Sequence, residues 1–217
     1  MIRIPESKYE KYIALAGANK CNQVYPLSIA EGYQSGDIFA DTMDPVNTAL
    51  FWHYCGFAYL SGIVRTGFLD EVYEEFFLKE QKRRFLLITD DLTVIRFFSG
   101  KPEIETGCRI IPSFSWESDE RFLDKGFGYV AIEGNTIAGV AFSAAVSSAE
   151  ADIGVETVEQ YRNKGFATIL ADRMCREIRC QGKKPVWAHA RQNTGSGKIA
   201  LNCGFLECKR NTVIKKG

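Results

Sequence analysis

Apolar and polar positions follow different patterns on either side of residue 115. In the first part, the periodicity predicts a helix over 6–16 and, around the turn sequence GYQSG, a β-hairpin within 22–41. The other predicted elements are a turn at Asp44-Pro45, a buried stretch over 48–62, a helix over 68–81, a strand over 84–89 and a capped helix over 90–100. This part of the chain therefore mixes strands and helices.

From about residue 118, strands and helices are predicted to succeed one another more regularly. Two apolar runs within 127–146 are joined by Glu133-Gly134-Asn135, which indicates a hairpin. The remaining elements are a strand over 151–158, a helix over 164–181, a strand over 185–190, a helix over 196–203 and a final strand to residue 216. This order predicts an α/β domain over 118–217, separated by a polar connection at 112–126 from a smaller N-terminal α/β domain over 1–115.

Charge and composition exclude several classes of protein. The chain has 217 residues, of which 46% are hydrophobic, so it is long enough to bury a core. Lys plus Arg and Asp plus Glu both number 27, which leaves no net charge to attract nucleic acid or an anionic membrane. No apolar run approaches the ~20 residues of a membrane span, and the N-terminus lacks the pattern of a signal peptide. Any anion site must therefore be local.

Seven cysteines without an export signal predict reduced thiols and a cytoplasmic protein. They are Cys21, Cys55, Cys108, Cys175, Cys180, Cys203 and Cys208. A zinc site is conceivable because His189 lies between two pairs of cysteines, Cys175 with Cys180 and Cys203 with Cys208. However, Cys175 and Cys180 would point to different faces of one helix. Buried thiols acting as small hydrophobic groups are the favoured alternative, and we predict no metal.

The sequence QYRNKGFATIL, residues 160–170, places two basic residues and a glycine at the start of a predicted helix. The first N–H groups of a helix have no internal partner and carry the positive end of its dipole, so they can hold a phosphate. Gly165 would let the phosphate approach, and Arg162 and Lys164 would add charge. The alternative is an ordinary helix start with a solvated basic edge. Neither GxxxxGK[ST] nor GxGxxG is present.

Two short motifs resemble one family. Arg162-Asn163-Lys164-Gly165-Phe166-Ala167 is similar to the [Q/R]-x-x-G-x-[G/A] motif of the GNAT superfamily of acyl-CoA-dependent N-acetyltransferases. The segment from Asn193 to Ser196, with Gly204-Phe205 downstream, resembles the family's N-x-x-S…G-F block. The resemblance covers about 127–208 and, more weakly, 22–80, and it is nearest to a bacterial subgroup with an added N-terminal domain.

The resemblance implies a mixed sheet flanked by helices and acetyl-CoA as co-substrate. The strand over 151–158 would splay from the next strand, and the pantetheine arm would pair with backbone at Val155, Glu156 and Thr157. The pyrophosphate would rest on the N–H groups of Asn163, Lys164, Gly165, Phe166, Ala167 and Thr168, near the side chains of Arg162 and Lys164. Asn193 and Ser196 would contact the arm or order water. Ser196 can also serve as a helix N-cap, and both roles can hold together.

Acetyl transfer to an amine needs an oxyanion donor and a base. An N–H freed by the splay near Thr157 or Val158 could stabilise the oxyanion. Asp152 and Glu156 are candidates for the base and share one face of the strand; Glu150 lies beside them. The alternative for each carboxylate is plain solvent exposure at a strand end.

Two positions depart from the family's usual pattern. A tyrosine that protonates the leaving thiolate in many members is replaced by Ala200, and an acidic residue of the subgroup is replaced by Ala188. His53 and His189 are interpreted as structural.

Three hypotheses follow from these residues. The protein is an N-acetyltransferase acting on a small amine, an acyl-CoA-binding module without turnover, or a nucleotide-binding protein that uses the same helix start. The acceptor pocket would lie between the two domains, with Trp52, Tyr54 and Trp116 as its lining or, alternatively, as core. The sequence predicts neither the acceptor's identity nor the oligomeric state.

Overall fold

The computed structural model describes residues 1–43, 46–107 and 115–216. The chain divides into two compact units: Met1–Arg109 with Lys209–Gly217, and Ile110–Cys208. The predicted turn at Asp44-Pro45 and the thiol of Cys108 lie outside the described residues. Both units combine strands with helices, so the predicted α/β class is confirmed.

The first unit is built on a seven-stranded sheet in the order β1-β2-β3-β4-β5-β11-β6. Its strands are β1 (Ile2–Arg3), β2 (Gly36–Ala40), β3 (Thr48–His53), β4 (Phe57–Gly62), β5 (Leu86–Thr89), β6 (Ile104–Gly107) and β11 (Thr212–Lys216). Its helical segments are a 3-10 helix (Glu6–Tyr12), α1 (Ile13–Gly17), α2 (Val24–Ala30), α3 (Thr66–Tyr73) with a π-helical turn (Glu74–Leu78), and α4 (Leu92–Ser99). The pair β4–β5 is parallel, and the other neighbours are antiparallel.

Aromatic side chains dominate the core of the first unit. The rings of Phe76 and Phe85 stack with centroids 4.3 Å apart, and Trp52 packs edge-on against both. Ile214 of β11 is fully buried in the same cluster. Trp52 is thus a core residue, and burial of Ile214 explains why β11 inserts between β5 and β6.

The position of β11 corrects the predicted domain over 118–217. The sequence assigned the last strand to the second domain because it follows that domain's motifs. In the structure, residues from Thr212 to Lys215 pair with β5, and β11 also pairs with β6. The second unit accordingly ends at Cys208.

The hairpin predicted within 22–41 is wrong in its first strand, because Val24–Ala30 forms a helix. All seven residues of this helix are buried, so the sequence has no polar face that would reveal a helical period. Local signals for a helix are present nonetheless. The side chain of Asn22 accepts a hydrogen bond from the N–H of Val24 at 2.9 Å, and Pro26 lies in the first turn, where proline is tolerated.

The second unit contains a four-stranded sheet in the order β10-β9-β8-β7. Its elements are α5 (Asp119–Lys125), β7 (Gly128–Glu133), β8 (Thr136–Val146), β9 (Glu150–Thr157), a 3-10 helix (Glu159–Tyr161), α6 (Phe166–Cys180), β10 (Lys184–Val186) and α7 (Thr194–Asn202). The pair β9–β10 is parallel, and the others are antiparallel. The predicted hairpin, the strand after it and the following helix are confirmed. Strand β10 is shorter than the predicted 185–190.

Helix α5 forms inside the stretch that was predicted to be a polar connection. The Ser118 side chain accepts a hydrogen bond from the N–H of Arg121 at 3.2 Å and so caps the helix. Just before it, Trp116 is buried and donates from its indole N–H to the carbonyl of Ser143 at 2.7 Å. Trp116 is therefore a core residue too. None of the described helices is both long and apolar enough to cross a membrane.

Candidate functional site

Strand β9 has one edge that its neighbour covers only in part. The ladder between β9 and β10 ends at the pair Asp152 and Val186. On its other side, β9 stays paired with β8 as far as Thr157. The segment 153–157 of β9 therefore extends past the end of β10, where the sequence predicted a splay.

Alternation along β9 decides which backbone groups face this edge. The N–H of Val158 donates to the Ala138 carbonyl on β8 at 3.0 Å, whereas Lys184 on the β10 side donates to the Ala149 carbonyl at 2.9 Å. Successive residues of a strand direct their backbone groups to opposite sides. Val155 and Thr157 thus present N–H and C=O to the open edge, and the backbone groups of Glu156 point toward β8.

This geometry corrects one predicted oxyanion donor. Val158 already donates its N–H within the sheet, so it is not free to hold an oxyanion. The N–H of Thr157, the other predicted donor, points to the open edge, and that of Val155 does likewise. Sequence reasoning missed this distinction because it depends on the register with β8.

The loop before α6 contains two left-handed residues. Asn163 has φ 62° and Gly165 has φ 88°, on either side of Lys164. A Cβ at Gly165 would meet no atom within 4 Å, so space is open beside this residue. Gly165 is the N-cap of α6 and supplies no side-chain cap. The first N–H groups of a 15-residue helix are therefore left for another partner.

Basic side chains flank these N–H groups. The Lys164 ammonium lies 5.1 Å from the centroid of the Tyr161 ring, which in turn packs edge-on against Phe166. Arg162 and Lys164 are both exposed, and neither forms a salt bridge with the part of the chain that the structure describes. Their charges are available to an anion at the start of α6.

Asn193 and Ser196 lie together at the start of α7, but the predicted N-cap is wrong. The Asn193 side chain accepts the N–H of Ser196 at 3.0 Å, so Asn193 is the cap. The Ser196 hydroxyl accepts instead from the indole N–H of Trp187 at 3.1 Å. These bonds connect the end of β10 with the start of α7, and contact with a pantetheine arm stays a prediction.

Asp152 and Glu156 share the face of β9 that points away from α6. Gly139 identifies the face that points toward α6. A Cβ added at Gly139 would lie 3.4 Å from the Leu170 side chain of α6 and 3.4 Å from the Thr157 hydroxyl, so Thr157 is on the α6 face and its neighbour Glu156 is on the other. Asp152 is only 5% exposed, which contradicts the solvent-exposed alternative for this residue. Glu156 is exposed, as that alternative expects. Glu156 is therefore the carboxylate that solvent reaches beside the open edge.

Other candidate groups take structural positions or lie on the surface. His53 is fully buried, and burial together with the charge of Arg83 lowers its pKa to about 3. Its Nδ1 accepts the N–H of Cys55 at 3.2 Å. His189 is exposed. Burial raises the pKa of the Cys175 thiol to about 11. The described residues contain no cluster of three or more metal-ligating side chains.

The first unit has a separate basic surface. A cavity of about 440 Å³ is lined by Lys79, Lys82, Arg83, Arg84 and Lys216, together with Glu80 and two phenylalanines. Arg83 is paired with Asp37 at 2.6 Å, and Lys79 with Glu75 at 2.6 Å, so part of this charge is already compensated. This surface is a second candidate for anion binding, so experiments must distinguish it from the start of α6.

Residues 113–213 match the sequence model of the GNAT acetyltransferase family, and this segment includes the open edge of β9 and the starts of α6 and α7. Over these residues the chain is similar to the GNAT superfamily, as the two motifs predicted.

One curated protein and two solved structures are similar to this chain. The chain is 28% identical over 102 residues to the uncharacterized N-acetyltransferase YdfB of Bacillus subtilis (strain 168), and this match covers 47% of the chain but only 39% of the relative. A GCN5-related N-acetyltransferase-like protein from Streptococcus suis 89/1591 shares the fold over 98% of this chain and 100% of its own, with TM-score 0.69 and 18% identity. A GNAT-family acetyltransferase from Colwellia psychrerythraea matches over 99% and 98%, with TM-score 0.55 and 11% identity.

Proposed function

We propose that the protein is an N-acetyltransferase that moves the acetyl group of acetyl-CoA to the amine of a small molecule. The single observation that carries this proposal is the start of α6. A long helix begins there without a side-chain cap, just after a left-handed glycine that follows the exposed cations Arg162 and Lys164, and the preceding strand β9 has an open edge. The family of the domain and the name of the Bacillus relative support the same activity.

Acetyl-CoA would use both features at once. Its pyrophosphate would accept hydrogen bonds from the backbone N–H groups of residues 163–168, and the side chains of Arg162 and Lys164 would lie beside it. Its pantetheine arm would lie along the open edge of β9, where the backbone groups of Val155 and Thr157 point outward. The predicted contact at Glu156 is then a side-chain contact, because its backbone groups face β8.

The chemistry requires few protein groups. The amine nitrogen attacks the thioester carbon, and an outward N–H of Val155 or Thr157 stabilises the oxyanion. Glu156 takes the proton that the amine loses. The C–S bond then breaks, and the thiolate leaves with a reference pKa near ~8.5, so it can depart near neutral pH and take its proton from water. Ala200 in place of a proton donor is compatible with this route.

A non-catalytic acyl-CoA-binding protein is the second candidate. At two positions where the resemblance implies an acidic residue or a proton-donating tyrosine, the chain has Ala188 and Ala200, and Ala200 is buried with only 7% of its surface exposed. No side chain at that position can protonate a thiolate.

Calorimetry and thiol release together test both candidates. Acetyl-CoA should bind, and Lys164→Ala should weaken binding by roughly tenfold, as expected for one charge-assisted contact. Lys82→Ala is the matched control, because it removes an exposed lysine from the other basic surface. Thiol release with a panel of amines indicates transfer. Binding without release for any amine would favour the binding protein, and an effect confined to Lys82→Ala would contradict the proposed site.

A further inference from the structure

One row of side chains crosses the sheet of the second unit on the face opposite α6. Val130 of β7 lies directly opposite Val140 of β8, and Val140 lies directly opposite Glu156 of β9. Adjacent strands are separated by about 4.8 Å, so the row spans roughly 10 Å. We call these three residues the acceptor row.

The acceptor row is an open apolar surface that ends in a single carboxylate. Within the row, Val130 is 54% exposed and Val140 is half-buried; Ile132, next to the row near the hairpin tip, is 65% exposed. Exposed apolar side chains that lie together mark binding surfaces more often than isolated ones do. The carboxylate of Glu156 stands where the row meets the open edge of β9.

Phe142 closes one side of this surface. Its ring covers Gly154, where a Cβ would lie 2.7 Å from the ring edge, and Gly154 separates Asp152 from Glu156 on β9. A molecule whose amine contacts Glu156 therefore cannot extend along β9 toward Asp152. The row offers it an apolar surface across Val140 and Val130 instead.

We propose that the acceptor is an amine that carries an apolar body of about six carbons and no second cation, bound along the acceptor row. This inference rests on the proposed acetyl transfer and adds the class of substrate. The ammonium form is attracted to Glu156 and gives one proton to water before the neutral amine attacks, and the apolar body covers the two valines. A second ammonium at the far end would lie over Val130, where no carboxylate of the row compensates it.

Two amines of equal length test the proposal. With acetyl-CoA saturating, hexylamine should have a kcat/KM at least roughly tenfold above that of 1,6-diaminohexane, since the latter places a charge on apolar surface. Val140→Thr keeps the shape but adds a hydroxyl, and it should raise the KM for hexylamine roughly fivefold while the KM for ethylamine changes little. Ile63→Thr, at an exposed position of the first unit, is the control.

Failure of this inference differs from failure of the proposed function. Turnover in which 1,6-diaminohexane equals or exceeds hexylamine, or in which Val140→Thr has no effect, would overturn the acceptor row and leave acetyl transfer intact. If no amine is turned over, calorimetry with hexylamine tests the row by itself. Binding that is weaker in Val140→Thr would support the acceptor row as a binding surface without catalysis. Absence of hexylamine binding would overturn it.

Discussion

Helices α4 and α6 begin in opposite ways, and the difference distinguishes a helix start that the chain itself completes from one that is left to a ligand. In the first unit, the Asp91 side chain accepts the N–H of Thr93 at 2.7 Å and satisfies the start of α4. In the second unit, the longer α6 begins at Gly165 with no cap. The two sheets show a similar difference. Strand β3 is buried along its whole length, whereas β9 extends past the end of its partner β10. At the end of β9 and the start of α6, backbone groups of the described residues lack a strand partner or a side-chain cap, and a ligand can satisfy them.

The largest expected effect concerns catalysis in the second unit. Glu156→Gln should lower kcat by roughly 10²–10⁴-fold, because the amide cannot accept the amine's proton, and acetyl-CoA affinity should hardly change. Steady-state thiol release and calorimetry measure the two quantities. Glu150→Gln is the control, since that carboxylate is paired with Lys184 at 3.2 Å. A rate that falls equally in both variants would assign the effect to strand stability instead.

The next effect concerns the first unit, whose core holds the C-terminal strand. Ile214→Ala should reduce the free energy of unfolding by about 2–5 kcal/mol, because the side chain is fully buried among aromatic rings. Urea titration followed by tryptophan fluorescence measures the loss. Acetyl-CoA affinity below the transition should stay at its original value. A parallel loss of affinity would show that β11 also supports the site, against the division into two units.

Acidic pH should act on the first unit through His53. Its folded pKa of about 3 lies below the ordinary value of 6.5, so the folded state keeps the imidazole neutral while the unfolded chain takes up a proton. Stability is therefore unaffected above pH 6.5 and falls as pH decreases toward 3, by about 1.4 kcal/mol per pH unit.

Urea midpoints between pH 7 and pH 5 measure this slope. His53→Gln should flatten it, even if the variant is less stable throughout. His189→Gln, at an exposed position, should keep the original slope. An unchanged slope in His53→Gln would mean that other groups dominate the acid response.

The smallest effect tests the cap itself. Asp91→Ala should cost about 1 kcal/mol of stability, because the first turn of α4 loses its hydrogen-bond acceptor. Denaturant unfolding gives the value. No measurable cost would imply that water replaces the cap without loss, and the contrast with α6 would then carry little information.

Local signals made the second unit predictable from sequence. The turn at Glu133-Gly134-Asn135 and the short motif from Arg162 to Ala167 each lie within a few residues, so the hairpin and the start of α6 could be read directly. The family follows from the same motif with the block after Asn193. The face shared by Asp152 and Glu156 needed only the alternation of a strand.

Features that depend on distant partners could not be read in this way. The membership of β11 is decided by β5 and β6, far back in the chain. The outward direction of the Val155 and Thr157 N–H groups depends on the register with β8. Helix α2 was missed because every residue is buried, which removes the periodic signal. The burial of Asp152 arises from packing that no local pattern encodes.

The central claim is that the uncapped start of α6 binds the pyrophosphate of acetyl-CoA, and a pair of glycine variants tests it directly. Gly165 and Gly182 lie just beyond the two ends of α6, both have left-handed backbone (φ 88° and 73°), and a Cβ would meet nothing within 4 Å at either. A glutamate at each position introduces the same side chain and the same backbone strain.

Calorimetry with acetyl-CoA, after circular dichroism has shown both variants folded, compares the two ends. Gly165→Glu places a carboxylate where the phosphates would lie, and we expect affinity to fall by at least roughly 100-fold. Gly182→Glu should stay within about threefold of the unchanged protein, since it lies at the far end of the helix. Equal affinity in the two variants would contradict the claim that acetyl-CoA binds at the start of α6.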